Sequence, residues 1–225
     1  MLRSVSHTVN RIPVPARSPT KAPRPRLSRD EVRERLVGAA TELVRDRSFY
    51  DLSVSDVTQR AGIERTVFYR HFDDLGDLLL RAATEAIESL YDAQVELDAG
   101  RQEGDLEAVR AAVEPAVRVY QRHGPVLRAV TEAGASNPQI AARGAELRRR
   151  FNELATDSLG KLSGLRENPP ADLAESARAL NLLNEAYLRD AFGHEPRISA
   201  EAAIQTLTEI WAAFLDRRPS PPKEA

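Results

Sequence analysis

From residue 28 onward, apolar residues return every three to four positions, and no alternating run survives beyond a few residues. That period predicts helices and no sheet. The first helix opens at Ser28, with Glu31 three residues on to complete a capping box. Val32, Leu36, Ala39 or Ala40, and Leu43 then fall on one face. The pattern fades over "RDRSFYDL". Ser53 opens a second, short helix, "SVSDVTQRA", with Asp56 placed to reinforce the cap. Gly62 ends it, since glycine takes the left-handed exit of a helix without strain. A further short helix follows within "GIERTVFYRHF", residues 62–72. Two short helices about a glycine turn predict a helix-turn-helix.

Beyond "FDDLGD" the segments lengthen. A long amphipathic helix over "LLLRAATEAIESLYDAQVEL" closes at Gly100. The pattern then predicts helices over Leu106–Arg122, Pro125–Glu132, Gln139 to about Leu165, Ala171–Phe192 and Ser199–Leu215. Gly124–Pro125, Asn137–Pro138 and Asn168–Pro169–Pro170 punctuate them. The expected fold is all-α. Its parts are a basic disordered arm over 1–27, a three-helix helix-turn-helix domain over 28–74, a larger helical domain over 75–217 and a disordered tail over 218–225.

Charge is unevenly distributed. The net value is −2, yet residues 1–27 hold six basic side chains and no acid. Residues 28–72 balance at eight and eight, leaving −8 for the rest. A basic front on an acidic body fits a polyanion approached from one side. The chain has no cysteine, which removes disulfides and thiolate chemistry. No apolar run approaches the roughly 20 residues of a membrane span. The first fifteen residues lack the apolar segment of a signal peptide, so a cytoplasmic location and no membrane partner are expected.

The four histidines, His7, His71, His123 and His194, are far apart, and no HExxH, GxSxG, phosphate-binding loop or GxGxxG occurs. No enzyme, metal or cofactor is therefore expected. Within "GIERTVFYRHF", Phe68 and Phe72 are four apart and should anchor the segment, with Val67 inclined to contact. Arg65, Thr66, Tyr69, Arg70 and His71 cannot all be buried on so short a helix. Arginine reads guanine edges, and hydroxyl and apolar groups meet phosphate or a thymine methyl.

The block from about residue 33 to 80, "VSDVTQRAGIERTVFYRHFDDLGDLL" in particular, resembles the DNA-binding domain of the tetracycline-repressor (TetR) family. Ala61-Gly62-Ile63, then Phe68 to Phe72, then Leu78 carry the match. The resemblance implies that Arg65, Thr66 and Val67 lie at base edges. It places Tyr69 and His71 at backbone or thymine methyl, and Ser53 at a phosphate, with Arg70 in the same segment. Relatives often carry a lysine near Leu75 that touches phosphate; leucine cannot, so the basic arm is the alternative source of charge. Glu64 would repel a phosphate unless it accepts from a cytosine amine.

"ALNLLNEAYLRDAF" and "TLTEIWAAFL" resemble the C-terminal half of the ethionamide-resistance regulator branch of that family. This implies a narrow lipophilic channel, with Asn181, Asn184 and Trp211 as first candidates and Tyr120, Phe151 and Tyr187 behind them. Amides in an apolar helix need partners, and the alternative is that both asparagines bond across a dimer interface. Apolar stripes through Leu180 and Leu183, and through Ile204, Leu207 and Phe214, fit a four-helix homodimer interface. The expected protein is a homodimeric regulator, a repressor of a palindromic double-stranded operator, released by a small lipophilic effector. The competing readings are an architectural, nonspecific DNA binder relying on the arm, and a helical enzyme.

Overall fold

The computed structural model describes residues 27–100, 105–161 and 169–216. The expected arm and tail lie outside the described residues, apart from Leu27. Those residues form eight α-helices: α1 Arg29–Asp46, α2 Val54–Ala61, α3 Arg65–Phe68, α4 Leu75–Gly100, α5 Asp105–Ser136, α6 Pro138–Leu159, α7 Leu173–Phe192 and α8 Ala200–Leu215. A single 3-10 turn, Phe49–Asp51, links α1 to α2.

Local chemistry sets the first three helices. Ser28 Oγ accepts from the Glu31 N–H at 3.1 Å, while the Glu31 carboxylate accepts from the Ser28 N–H at 2.7 Å. The same reciprocal box joins Ser53 and Asp56 at the start of α2. Gly62 stands at φ 66° as the left-handed exit. Along α1, Val44 rather than Leu43 is fully buried, with Leu43 at the edge of the same core. One core gathers Leu36 and Val44 of α1, Val57 of α2, Phe68 and Phe72, Leu78 and Leu79 of α4, and Val126 and Ala129 of α5. The packing of the helix-turn-helix thus runs without a break past residue 74. A second core joins the first half of α5 to α7 and α8 through Val113, Val117, Leu188, Ile204 and Leu207.

The break expected at Gly124–Pro125 does not occur. α5 runs for 32 residues through both Pro115 and Pro125. An interior proline costs a helix about 3 kcal/mol, and here burial of Val117, Val126, Ala129 and Ala133 on either side offsets it. Gly124 serves packing instead of termination: a Cβ there would lie 2.1 Å from the Phe192 carbonyl oxygen at the end of α7. A second close approach joins α4 to α6, where a Cβ on Gly76 would meet Ile140 Cδ1 at 2.1 Å. Asn137 caps α6 by accepting from the Gln139 and Ile140 N–H groups. α6 ends at Leu159, short of Leu165.

Arg128, 5% exposed, ties these parts together. Its Nε donates to the Gly193 carbonyl at 2.8 Å. One terminal nitrogen donates to the Val44 and Arg47 carbonyls at 2.7 and 3.0 Å, and the other pairs with Glu132 at 2.6 Å. Glu132 in turn accepts from the Ser48 hydroxyl and the Phe49 N–H, both at 2.8 Å. Burial alone would raise the Glu132 pKa, but the Phe49 and Ser48 hydrogen bonds and Arg128 outweigh it and hold the carboxyl below the ordinary glutamate range.

A carboxyl with a lowered folded-state pKa contributes stability above its unfolded value and loses it as pH falls through the folded one. Unfolding free energy should therefore drop on acidification below about pH 4.3, and Glu132→Gln should flatten that part of the curve. Arg128→Met, which leaves Glu132 and three carbonyls unanswered, should cost about 3 kcal/mol in denaturant titration.

Candidate DNA-reading surface and ligand cavity

α3 is a single turn. The N–H groups of Val67 and Phe68 both donate to the Glu64 carbonyl, and Phe68 and Phe72 pin the turn from below with ring centroids 5.8 Å apart. Phe68 is fully buried and Phe72 nearly so. Arg65, Thr66, Tyr69 and Arg70 are exposed, Tyr69 at 49%. The Arg65 guanidinium donates to the Tyr69 hydroxyl at 3.2 Å and lies 5.7 Å from its ring centroid. Such a contact limits the rotamers of an exposed side chain before anything binds it.

Three sequence expectations need adjustment here. Val67 is half-buried against the first core, so it contributes more to anchoring than to contact. The Ser53 hydroxyl is engaged with Asp56, which stands at the very helix start expected to take phosphate. His71 is half-buried, with Nδ1 buried and unpartnered. Burial, then Arg29, Arg33 and Arg70, lower its pKa, so the ring is neutral at physiological pH. Leu75 is buried in the first core, as a leucine should be.

A cavity of about 200 Å³ lies between α4, α5, α6, α7 and α8. Its wall is largely apolar. Ala108, Ala112 and Ala116 line it from α5 at one-turn intervals, with Leu147, Phe151 and Ala155 facing them from α6. Several of its polar groups pair with one another. Asn181 Nδ2 donates to Asn152 Oδ1 at 2.8 Å, and Trp211 Nε1 donates to Asn184 Oδ1 at 3.2 Å. Each asparagine thus has one partner within the chain. Burial and the nearby Glu185 raise the Tyr120 pKa, keeping its phenol neutral. Arg148 stands 3.7 Å from Glu185, which also pairs with Arg189 at 3.1 Å.

Five of the six expected lining residues meet here: Tyr120, Phe151, Asn181, Asn184 and Trp211. Tyr187 does not, because its ring packs at the border of the second core. Sequence reasoning passed over Asn152 and Arg148. The one available signal was their place beside Phe151 on a helix whose apolar face is interrupted by them. Among the described residues no group of three or more His, Cys, Asp or Glu side chains is placed to hold a metal ion. No helix there is long and apolar enough to cross a membrane.

The stripes expected to dimerise divide. Ile204 and Leu207 are fully buried in their own subunit's core, so they cannot face a partner. Leu180 and Phe214 sit at the border of that core. Leu182 and Leu183 remain 42% and 39% exposed, with Ala179 and Ala186 on the same outer side of α7. Ala202 and Ala213 are the exposed apolar positions of α8.

Residues 36–82 match the model of bacterial regulatory proteins of the tetR family, and residues 109–215 match the C-terminal domain of the transcriptional regulator EthR. The HTH-type transcriptional regulator EthR of Mycolicibacterium smegmatis is 31% identical over 210 residues, covering 86% of this chain and 92% of that protein. Its counterpart in Mycobacterium tuberculosis is 27% identical over 195 residues, covering 84% and 89%. The fold is that of the fatty acid degradation regulator FadR from Bacillus halodurans, with a TM-score of 0.69, 13% identity and coverage of 88% and 100%.

Trp211 is the chain's one tryptophan, and its hydrogen bond to Asn184 crosses the cavity wall. Asn184→Ala should leave the indole N–H unpaired, lower stability by about 1–3 kcal/mol and shift the tryptophan emission. Denaturant titration and the emission spectrum of the folded variant measure the two effects.

Proposed function

The chain belongs to the tetR family of bacterial regulatory proteins and is an EthR-like transcriptional regulator; on that basis we propose that it is a homodimeric repressor, released from a palindromic operator by a small lipophilic effector. The observation that carries this reading is the pairing of an outward reading turn with a largely apolar cavity through one continuous helix, α5. Residues 28–74 serve as the reading domain and 75–217 as the effector and dimerisation domain. The protein acts in the cytoplasm, where the chromosome lies.

In this reading Arg65 and Thr66 meet base edges in the major groove, and Tyr69, Arg70 and His71 meet the backbone or a thymine methyl. Ser53 contributes little to this surface, because Asp56 accepts from both its hydroxyl and its backbone N–H. Two copies must set their reading turns about 34–36 Å apart to meet successive major grooves. The exposed apolar side of α7 and α8, centred on Leu183, Ala186 and Ala213, serves as the partner surface, with Leu180 and Phe214 at its edge. An effector acts only through unequal affinity for the DNA-bound and free states. The cavity's largely apolar wall favours an apolar molecule with a neutral polar group, which Asn181, Asn184 and Tyr120 engage.

Arg65→Ala with Tyr69→Ala should abolish the preference for the operator over scrambled duplex in gel-shift titration while leaving the dimer intact; retained preference would move the reading surface elsewhere. Leu183→Glu should halve the mass seen by sedimentation without lowering the melting temperature of the subunit, whereas Leu207→Glu should lower the melting temperature.

A further inference from the structure

Two arginines outside the helix-turn-helix motif stand beside it. Arg29 and Arg33 are one turn apart at the start of α1, both exposed. Val32 and Leu36 of the same helix pack in one core with Phe68 and Phe72, which bracket Arg70 and His71. Early α1 and the turn after α3 therefore cover the same core. That proximity is also electrostatic: after burial, Arg29, Arg33 and Arg70 are the influences that lower the His71 pKa, with Asp30 opposing them. With Nδ1 buried and unpartnered, Nε2 is the nitrogen left to meet anything outside.

These arginines have no ion-pair partner among the described residues, whereas Arg47 pairs with Asp56 and Arg60 with Glu42. Residues 1–27 carry six basic and no acidic side chains, so they add no charge that would neutralise these arginines. The opening of α4 is the opposite. Asp74 Oδ1 accepts from the Asp77 N–H at 2.8 Å, and Asp77 Oδ2 accepts from the Asp73 N–H at 3.1 Å. Three carboxylates stand there, and two of them occupy backbone donors that an anion would need, so a phosphate is repelled from that end.

We propose that Arg29, Arg33 and Arg70, gathered around His71, form a cradle for a backbone phosphate of the DNA beside the segment that α3 reads. It rests on the reading that α3 faces DNA. The cradle supplies affinity and register, not base discrimination, because a phosphate is the same at every step of the duplex. Its signature is charge counted in salt: each phosphate neutralised contributes about 0.9 to the slope of log affinity against log salt concentration.

The test uses the full chain and a duplex that it selects from a random-sequence pool, titrated by fluorescence anisotropy across a salt series. Arg29→Ala with Arg33→Ala should weaken binding about tenfold near physiological salt and lower the slope by about 1 to 2. The ratio of selected to scrambled affinity should not change, and Arg29→Lys with Arg33→Lys should restore the slope. Should the double alanine variant fold poorly, Arg33→Gln alone should give a smaller loss of slope in the same direction. A slope and affinity equal to those of the unaltered chain would overturn the cradle. So would a loss confined to the selected sequence, which marks a base contact. If the pool yields no preferred sequence, yet the chain binds duplex and the slope still falls with these substitutions, the cradle stands and the base-reading assignment fails. No binding to any duplex overturns both.

Discussion

A guanidinium buried in protein must find acceptors or cost several kcal/mol, and Arg128 finds them in three separate elements. Val44 and Arg47 offer carbonyls at the end of α1, which no intrahelical donor reaches. Gly193 offers another just past α7. Glu132, one turn along α5, balances the charge and turns its other oxygen to Ser48 and Phe49. One side chain therefore sets where α1 stops, how the 3-10 turn leaves it, and where the end of α7 meets α5. Remove the cation and each of those ends loses its partner at once.

The same two turns of α5 face the cavity. Leu127, Val130 and Thr131 line it, while Arg128 and Glu132, between and beside them, hold the network, and Val126 and Ala129 sit in the core of the reading domain. No hinge separates these roles. A molecule that displaces Leu127 or Val130 displaces the turn that carries Arg128, and the end of α1 is hydrogen-bonded to that turn. Close packing at Gly76 on Ile140 and at Gly124 on Phe192 leaves little slack to absorb the shift.

What could be read in advance follows the range of the interaction. The Ser28–Glu31 and Ser53–Asp56 boxes and the Gly62 exit depend on residues three or four apart, and all three stood as expected. The TetR-type segment is likewise local. Gly124–Pro125 read as a break because its purpose, the approach to Phe192, involves a distant helix. Ile204 and Leu207 showed a stripe that had to be buried, but a stripe does not say whether the burying surface belongs to the same chain. Asn181, Asn184 and Trp211 are legible as candidates, the asparagines as amides in an apolar helix; Asn152, and the pairing of Trp211 with Asn184, exist only in space. Arg128 looked like one more helical arginine, since nothing in its neighbourhood in sequence marks burial.

The cavity owes its volume to what its walls lack. Ala108, Ala112 and Ala116 repeat along α5, and Ala83, Gly144 and Ala155 face the same space. In the proposed reading, such walls make ligand choice the most easily rewritten property of the molecule. One nucleotide change turns an alanine codon into valine, and each such change would prune or redirect the space while the reading turn, its cap and the Arg128 network stay as they are. On that reading, descendants of this gene part ways over the shape of the cavity long before they part over the reading turn.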